Sequence, residues 1–74
     1  MNYKDCIIVT KGNKSIVLQA TKLTVQNNDQ IIVIYDDEDI KCIFSMSGIK
    51  AVIFAYIGDE QMVQNIIDAI TSRS

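Results

Sequence analysis

The sequence predicts an α+β fold: an antiparallel β-meander of about five strands, with one carboxyl-terminal helix packed on one face of the sheet. Short runs rich in isoleucine, valine and aromatic residues recur within residues 4–57, and clusters of turn-forming residues separate them. One amphipathic segment follows at about 59–72. The chain has 74 residues, no proline and no low-complexity tract, so residues 1–74 are expected to form a single small domain.

The amino-terminal part contains two strand-like runs around a turn. Residues 5–10 form a short β-rich run, and residues 11–14 (Lys-Gly-Asn-Lys) supply a hairpin turn. Residues 15–26 alternate apolar and polar side chains as far as Ala20, after which the apolar positions fall out of phase by one residue. Either a bulge near 20–22 restores the phase, or two short strands meet there at a bend.

The middle of the chain alternates turns and strands. Asn27-Asn28-Asp29-Gln30 forms the second turn, and residues 31–35 follow as a strand. An acidic run at residues 36–39 separates this strand from the next. In that next strand, mostly polar neighbours alternate with one apolar face, which consists of Ile40, Cys42, Phe44 and Met46. Ser47-Gly48 makes the next turn.

Residues 49–57 fit either a strand or a helix. A helical stripe would contain Ile49, Val52, Ile53, Tyr56 and Ile57. The density of β-branched and aromatic side chains favours a strand instead. Its nearly continuous apolar character indicates a central strand, or one covered on both faces.

The last segment has the marks of a helix. Gly58 breaks the preceding strand, Asp59 can cap the helix, and Arg73 lies near its carboxyl end, where a cation is favoured. The apolar stripe consists of Met62, Val63, Ile66, Ile67 and Ile70. A helix of this length can cover one face of a small sheet and leaves the other face uncovered.

Excess apolar surface predicts association between copies. A chain this short buries only about 60% of the surface its unfolded form exposes, yet residues 31–35 and 49–57 carry large apolar side chains on both faces. Cys6 and Cys42 are too few for a disulfide framework, and with no histidine they cannot complete a zinc site, so they are expected to be buried inert thiols. We therefore expect a two-fold homodimer that pairs through the uncovered sheet face or an edge strand.

Composition also bounds the location and the partner. The amino terminus lacks the pattern of a signal peptide and no apolar stretch reaches about 20 residues, so a soluble, cytoplasmic protein with no membrane partner is expected. A net charge of −2 argues against nucleic acid as the partner. The charge is unevenly spread, with +3 in residues 1–28 and −5 in residues 29–74, and this polarity could orient two copies.

The chemistry-bearing residues do not form a catalytic or metal-binding pattern. Nucleophilic catalysis needs a base beside the nucleophile, and the chain has no histidine and no phosphate-binding glycine motif. No enzymatic activity, cofactor or metal site is therefore expected. The acidic run lacks the spaced ligands and the glycine of a calcium loop. The run consists of Asp36, Asp37, Glu38 and Asp39 and predicts a solvated hairpin tip. The functional alternative is an acidic prong that docks against a basic surface of a partner.

A second possibility is a small-ligand or nucleotide-binding module. Lys41, Lys50 and Tyr56 could form a basic and aromatic patch, assembled across a dimer, in which a base stacks on the ring. Packing in the core or in an interface is the other common use of such aromatic side chains.

The order of these elements resembles the small β-meander accessory proteins carried by phages and mobile elements of Gram-positive bacteria. The resemblance covers roughly residues 5–57 and lies in the pattern of elements: a short first hairpin, a bulged strand, and then the runs Ile31-Ile32-Val33-Ile34-Tyr35-Asp36-Asp37 and Ile43-Phe44-Ser45-Met46-Ser47-Gly48-Ile49. It implies a non-enzymatic accessory protein that binds and modulates a host or defence protein. The well-marked terminal helix departs from that pattern.

Overall fold

The computed structural model describes residues 2–72, and it confirms the α+β class with six antiparallel strands and one carboxyl-terminal helix. The elements in chain order are β1 (Lys4–Thr10), β2 (Ser15–Ala20), β3 (Lys22–Gln26), β4 (Ile31–Asp36), β5 (Asp39–Ser45), β6 (Ile49–Ala55) and α1 (Glu60–Thr71). The strands form two sheets of three: the first sheet has the order β2-β1-β6, and the second sheet has the order β3-β4-β5.

A bend at Thr21 divides the chain between the two sheets. Of the two readings of residues 15–26, the bend is correct and the bulge is wrong, because β2 ends at Ala20 and β3 begins at Lys22. The Thr21 N–H donates to the Tyr35 carbonyl at 2.9 Å, and the Thr21 Oγ1 accepts from the Asp37 N–H at 2.7 Å. These bonds fix the point at which the chain changes sheets, and the strand count rises to six.

The two sheets pack face to face around an inner core. This core lies between β1 and β2 on one side and β4 on the other, and its buried residues are Cys6, Ile8, Ala20, Ile32 and Ile34. The other face of the first sheet packs on α1, in a second core that contains Ile7, Val9 and Ile67. The expectation of one sheet was therefore wrong, since a helix and a second sheet together cover both faces of the first.

Strand β6 confirms the strand reading of residues 49–57. Within the part of the chain that the structure describes, it pairs with β1 alone, so it is an edge strand rather than a central one. Val52 and Phe54 pack against the inner core, whereas Ala51 and Ile53 pack against the helix core. The continuous apolar run is explained by cover on both faces. The central strand is β1, in which four consecutive residues from Cys6 to Val9 are fully buried.

Turn chemistry explains the connections. Asn13 and Asp37 take left-handed backbone angles, with φ of 61° and 59°, at the tips of the β1–β2 and β4–β5 hairpins. Residues 27–29 are three consecutive left-handed residues, and asparagine and aspartate tolerate this conformation better than other side chains. The turn expected at Ser47-Gly48 is a short 3₁₀ helix over Met46–Gly48.

The helix begins where the sequence predicts. Asp59 is the N-cap, and its Oδ1 accepts from the N–H groups of Gln61 at 2.9 Å and Met62 at 3.4 Å. Gly58, at φ 65°, turns the chain out of β6 in a conformation that suits glycine. Arg73, expected at the carboxyl end of the helix, lies outside the described residues.

Candidate interaction surface

Among residues 2–72, the outer face of the second sheet is the broad sheet face that no other layer covers. Here "outer face" means the side chains of β3, β4 and β5 that point away from the first sheet. The strand register arranges them in three rows that run across the sheet, because directly paired residues on neighbouring strands project to the same side. The rows are Lys22-Tyr35-Ile40, Thr24-Val33-Ile43 and Gln26-Ile31-Ser45.

Two large apolar side chains stand open on the outer face. Ile40 and Ile43 are each 58% exposed, whereas Val33, between Thr24 and Ile43, is only 3% exposed. Sequence alternation places Ile40 on the inner side with Cys42, and this was wrong. A register shift between Ile34 and Tyr35 pairs Ile40 with Tyr35 and turns it outward. No local sequence signal marks this shift.

Polar side chains on the outer face contact one another through hydrogen bonds and a cation–π contact. The Lys22 Nζ lies 4.4 Å from the centroid of the Tyr35 ring. The Gln26 Nε2 donates to the Thr24 Oγ1 at 2.9 Å and to the Tyr35 hydroxyl at 3.2 Å. These contacts hold the tyrosine ring beside the two isoleucines, and tyrosine is enriched in protein–protein interfaces.

The acidic run forms the tip of the β4–β5 hairpin, as the sequence predicts, and it adjoins the outer face. The Asp36 Oδ1 accepts from the Tyr3 hydroxyl at 2.7 Å, and this hydrogen bond raises the pKa of Tyr3. Asp37, Glu38 and Asp39 are exposed. Ile40 directly follows the run, so the acidic tip lies at one end of the outer face, whereas Asp39, paired with Asp36, projects to the opposite side of the sheet from Ile40.

The three residues of the predicted ligand patch are dispersed within one chain. The Lys41 Nζ donates to the Gln19 carbonyl at 3.0 Å, and the Lys50 Nζ donates to the Asn13 Oδ1 at 3.0 Å. Tyr56 is 63% exposed. Lys50 and Tyr56 lie six residues apart, which is about 20 Å along an extended chain. A site that used both would need a second copy.

The thiol and carboxylate groups that could serve as a nucleophile or a base are placed in packing and hydrogen-bonding roles. Cys6 and Cys42 are both free; Cys6 is buried as expected, whereas Cys42 is only half-buried, so the expectation of a buried thiol was wrong there. Burial, followed by the nearby Cys42, raises the pKa of the Cys6 thiol. The Asp5 Oδ2 accepts from the N–H groups of Gly58 at 3.0 Å and Ile57 at 3.3 Å, and the bond from Gly58 is the main cause of its lowered pKa. Asp5 therefore anchors the segment that leads into α1.

Within residues 2–72, no group of three or more acidic or cysteine side chains is placed to hold a metal ion, and every buried side-chain nitrogen or oxygen has a hydrogen-bond partner. No helix in the same range is long and apolar enough to span a membrane. Comparison of the chain with protein-family models, with curated proteins and with solved structures finds no match.

Proposed function

We propose that this chain is a small, non-enzymatic protein-binding module that acts as a homodimer and modulates the protein it binds. The observation that carries the proposal is the outer face of the second sheet, where Ile40 and Ile43 are each 58% exposed beside Tyr35. Single exposed apolar residues are ordinary on a protein surface, whereas neighbouring ones rimmed by polar groups mark interaction sites.

The acidic tip gives the proposed partner a chemistry. Three exposed acidic residues, Asp37, Glu38 and Asp39, form the hairpin tip that precedes Ile40 at one end of the apolar face. A partner surface with an apolar centre and a basic rim complements both parts. Opposite charges of this kind raise the rate of encounter and fix orientation more than they raise affinity.

The setting is proposed from the sequence. The resemblance to accessory proteins of phages and mobile elements suggests a bacterial host protein as the partner, in the cytoplasm. A non-enzymatic role is supported by the absence of histidine and by the raised pKa of the Cys6 thiol, because a protonated thiol is a poor nucleophile.

Site-specific photo-crosslinking tests the binding face. A benzophenone side chain is placed at position 43, and in a control protein at position 17, because Val17 is similarly exposed at 48% but lies on the first sheet. Both proteins are irradiated in a soluble extract of host cells. We expect position 43 to give discrete crosslinks that excess wild-type protein displaces and excess Ile43→Lys protein does not. Equal crosslinking at both positions, or crosslinks that wild type cannot displace, would contradict the assignment of this face.

Light scattering over a dilution series tests the homodimer. The monomer has a mass of 8.3 kDa, and twice this value is expected to persist down to micromolar concentration. A monomer at every concentration would remove the homodimer from the proposal and leave the binding face to be judged by the crosslinks.

A further inference from the structure

We infer that the two copies pair through the open edge of β6, in an antiparallel two-fold arrangement that joins the two first sheets into one six-stranded sheet. This inference rests on the proposed homodimer. It adds the surface and the register, and it leaves the outer face of each second sheet free for another protein.

Backbone direction on β1 can be read from its hairpin turn. The Thr10 N–H donates to the Lys14 carbonyl at 2.8 Å, and the Thr10 carbonyl accepts from the Asn13 N–H at 2.9 Å. Both backbone groups of Thr10 thus point toward β2. Since direction alternates along an antiparallel strand, the backbone groups of Val9 and Ile7 point toward β6.

The same alternation identifies the open groups of β6. Ala51 and Ile53 lie opposite Val9 and Ile7, so their backbone groups face β1. The backbone groups of Val52 and Phe54 therefore point away from β1, toward the side of β6 where the described residues place no strand. The next position in the alternation is Tyr56. A strand with an open row of N–H and C=O groups is a template for pairing with another chain.

The other edge strands in residues 2–72 carry features that oppose pairing. On β2, the Gln19 carbonyl is occupied by the Lys41 Nζ at 3.0 Å. Strand β5 bears Asp39 and Lys41 and has the register shift at its start. Strand β3 has only five residues, among them Lys22. Charged side chains, irregular register and short length are the ways in which natural sheets protect their edges.

Strand β6 has little such protection and borders an apolar groove. Its one charged residue is Lys50, at the end of the strand where the register with β1 shifts. The groove has a volume of about 410 Å³ and opens between β6 and β3. Its lining is apolar apart from Lys50 and includes Leu23, Val25, Ile32, Met46, Val52 and Phe54. Val25 is 46% exposed there. A strand added to β6 extends the first sheet over this groove and shields its apolar lining from water.

The charges at the ends of β6 favour a second copy of the chain as the strand that pairs with this edge, and they select the register of that pairing. A two-fold axis at Phe54 places Val52 opposite Tyr56 of the partner subunit. Lys50 lies past the last paired position, because each chain turns away at Gly58, whose N–H already donates to Asp5. This register leaves Lys50 at the end of the paired strands where the partner's chain turns into α1, whose first residues include the acidic Asp59 and Glu60, so opposite charges face each other at that end. An axis at Ile53 would instead place Lys50 opposite Tyr56 of the partner subunit. In each chain the Lys4 Nζ already lies 5.3 Å from the centroid of the Tyr56 ring. Like charges at one position oppose that register.

Amide hydrogen exchange measured by NMR, at protein concentrations below and above the dimer transition, tests the pairing. We expect the N–H groups of Ala51 and Ile53 to be protected at both concentrations, because they bond to β1. The N–H groups of Val52 and Phe54 should gain protection of at least tenfold only in the dimer. A dimeric mass with unprotected Val52 and Phe54 amides would overturn the edge pairing while leaving the homodimer intact. A monomer at all concentrations would overturn both.

A pair of substitutions at one exposed position separates backbone from side chain. Tyr56→Pro removes the N–H that faces the partner strand, whereas Tyr56→Ala removes the ring and keeps the N–H. Because both copies carry the substitution, two hydrogen bonds between the subunits are lost, and we expect the dissociation constant of the dimer to be about thirtyfold higher for Tyr56→Pro than for Tyr56→Ala. Equal constants would contradict strand pairing at this position, and circular dichroism checks the fold of both.

A matched control distinguishes the edge from the outer face. Ile40→Lys changes a residue that is 58% exposed on the outer face, close to the 63% of Tyr56. It should leave the dimeric mass unchanged. A monomeric Ile40→Lys protein would place the dimer contact on the outer face and overturn the inference. If Tyr56→Pro fails to fold, the exchange pattern of the wild-type protein still decides the question.

Discussion

Truncation of two isoleucines on opposite faces of the second sheet tests the layered arrangement. Ile34 on β4 is fully buried in the inner core, whereas Ile43 on β5 is 58% exposed on the outer face. Replacing a buried isoleucine by alanine costs about 2–5 kcal/mol, and the tightly enclosed Ile34 should lie near the middle, at about 3 kcal/mol. Ile43→Ala loses the same three carbons, each worth about 0.8 kcal/mol when fully buried. Because less than half of the Ile43 side chain is covered, Ile43→Ala should lower the free energy of unfolding by about 1 kcal/mol.

Urea unfolding followed by circular dichroism measures this difference. Both variants remove a β-branched residue from a strand, so the loss of strand propensity is shared and cancels in the comparison. We expect Ile34→Ala to be less stable than Ile43→Ala by about 2 kcal/mol, at low and at high protein concentration. A difference near zero would refute the reasoning, because it would mean that the outer face is as enclosed as the core. A gap that closes only at high concentration would mean that copies meet on the outer face.

Three further predictions concern the connections between elements. Asp59→Ala should lower the free energy of unfolding by about 1 kcal/mol, measured by urea titration, because two N–H groups of the first helical turn lose their acceptor; an unchanged midpoint would show that solvent replaces the cap. Asp5→Asn should reduce the stability lost on acidification. The pKa of Asp5 is lowered in the folded state, so its contribution is present above the usual carboxyl pKa and disappears as pH falls through the folded value. Unfolding curves at pH 7 and pH 3 should therefore differ less for Asp5→Asn than for wild type, and an equal loss would contradict this role. Thr21→Val should lower the free energy of unfolding by about 1–2 kcal/mol, because the Thr21 hydroxyl accepts from the Asp37 N–H and donates to the Tyr35 carbonyl. A melting temperature equal to that of wild type would show that the bend needs neither bond.

Short-range features were predictable because their causes lie within a few residues. The Asp59 cap and the stripe that follows it predict α1 almost to its limits, and asparagine and aspartate mark the hairpin tips where the backbone turns left-handed. The acidic tip was predictable for the same reason. The outward position of Ile40 was not, since it depends on a register shift set by the pairing of β5 with β4.

By itself, the sequence determined where strands and turns fall, which segment is helical, and that the chain contains no histidine-based chemistry. Only the tertiary structure decided that the strands divide into two sheets at Thr21, that β1 rather than residues 49–57 is central, and which surface stays open. The physical reason is that alternation records whether a side chain is buried, but not what buries it. Val52 and Ile53 are equally apolar, yet one packs against the second sheet and the other against α1, and that choice is made by residues far away in the chain.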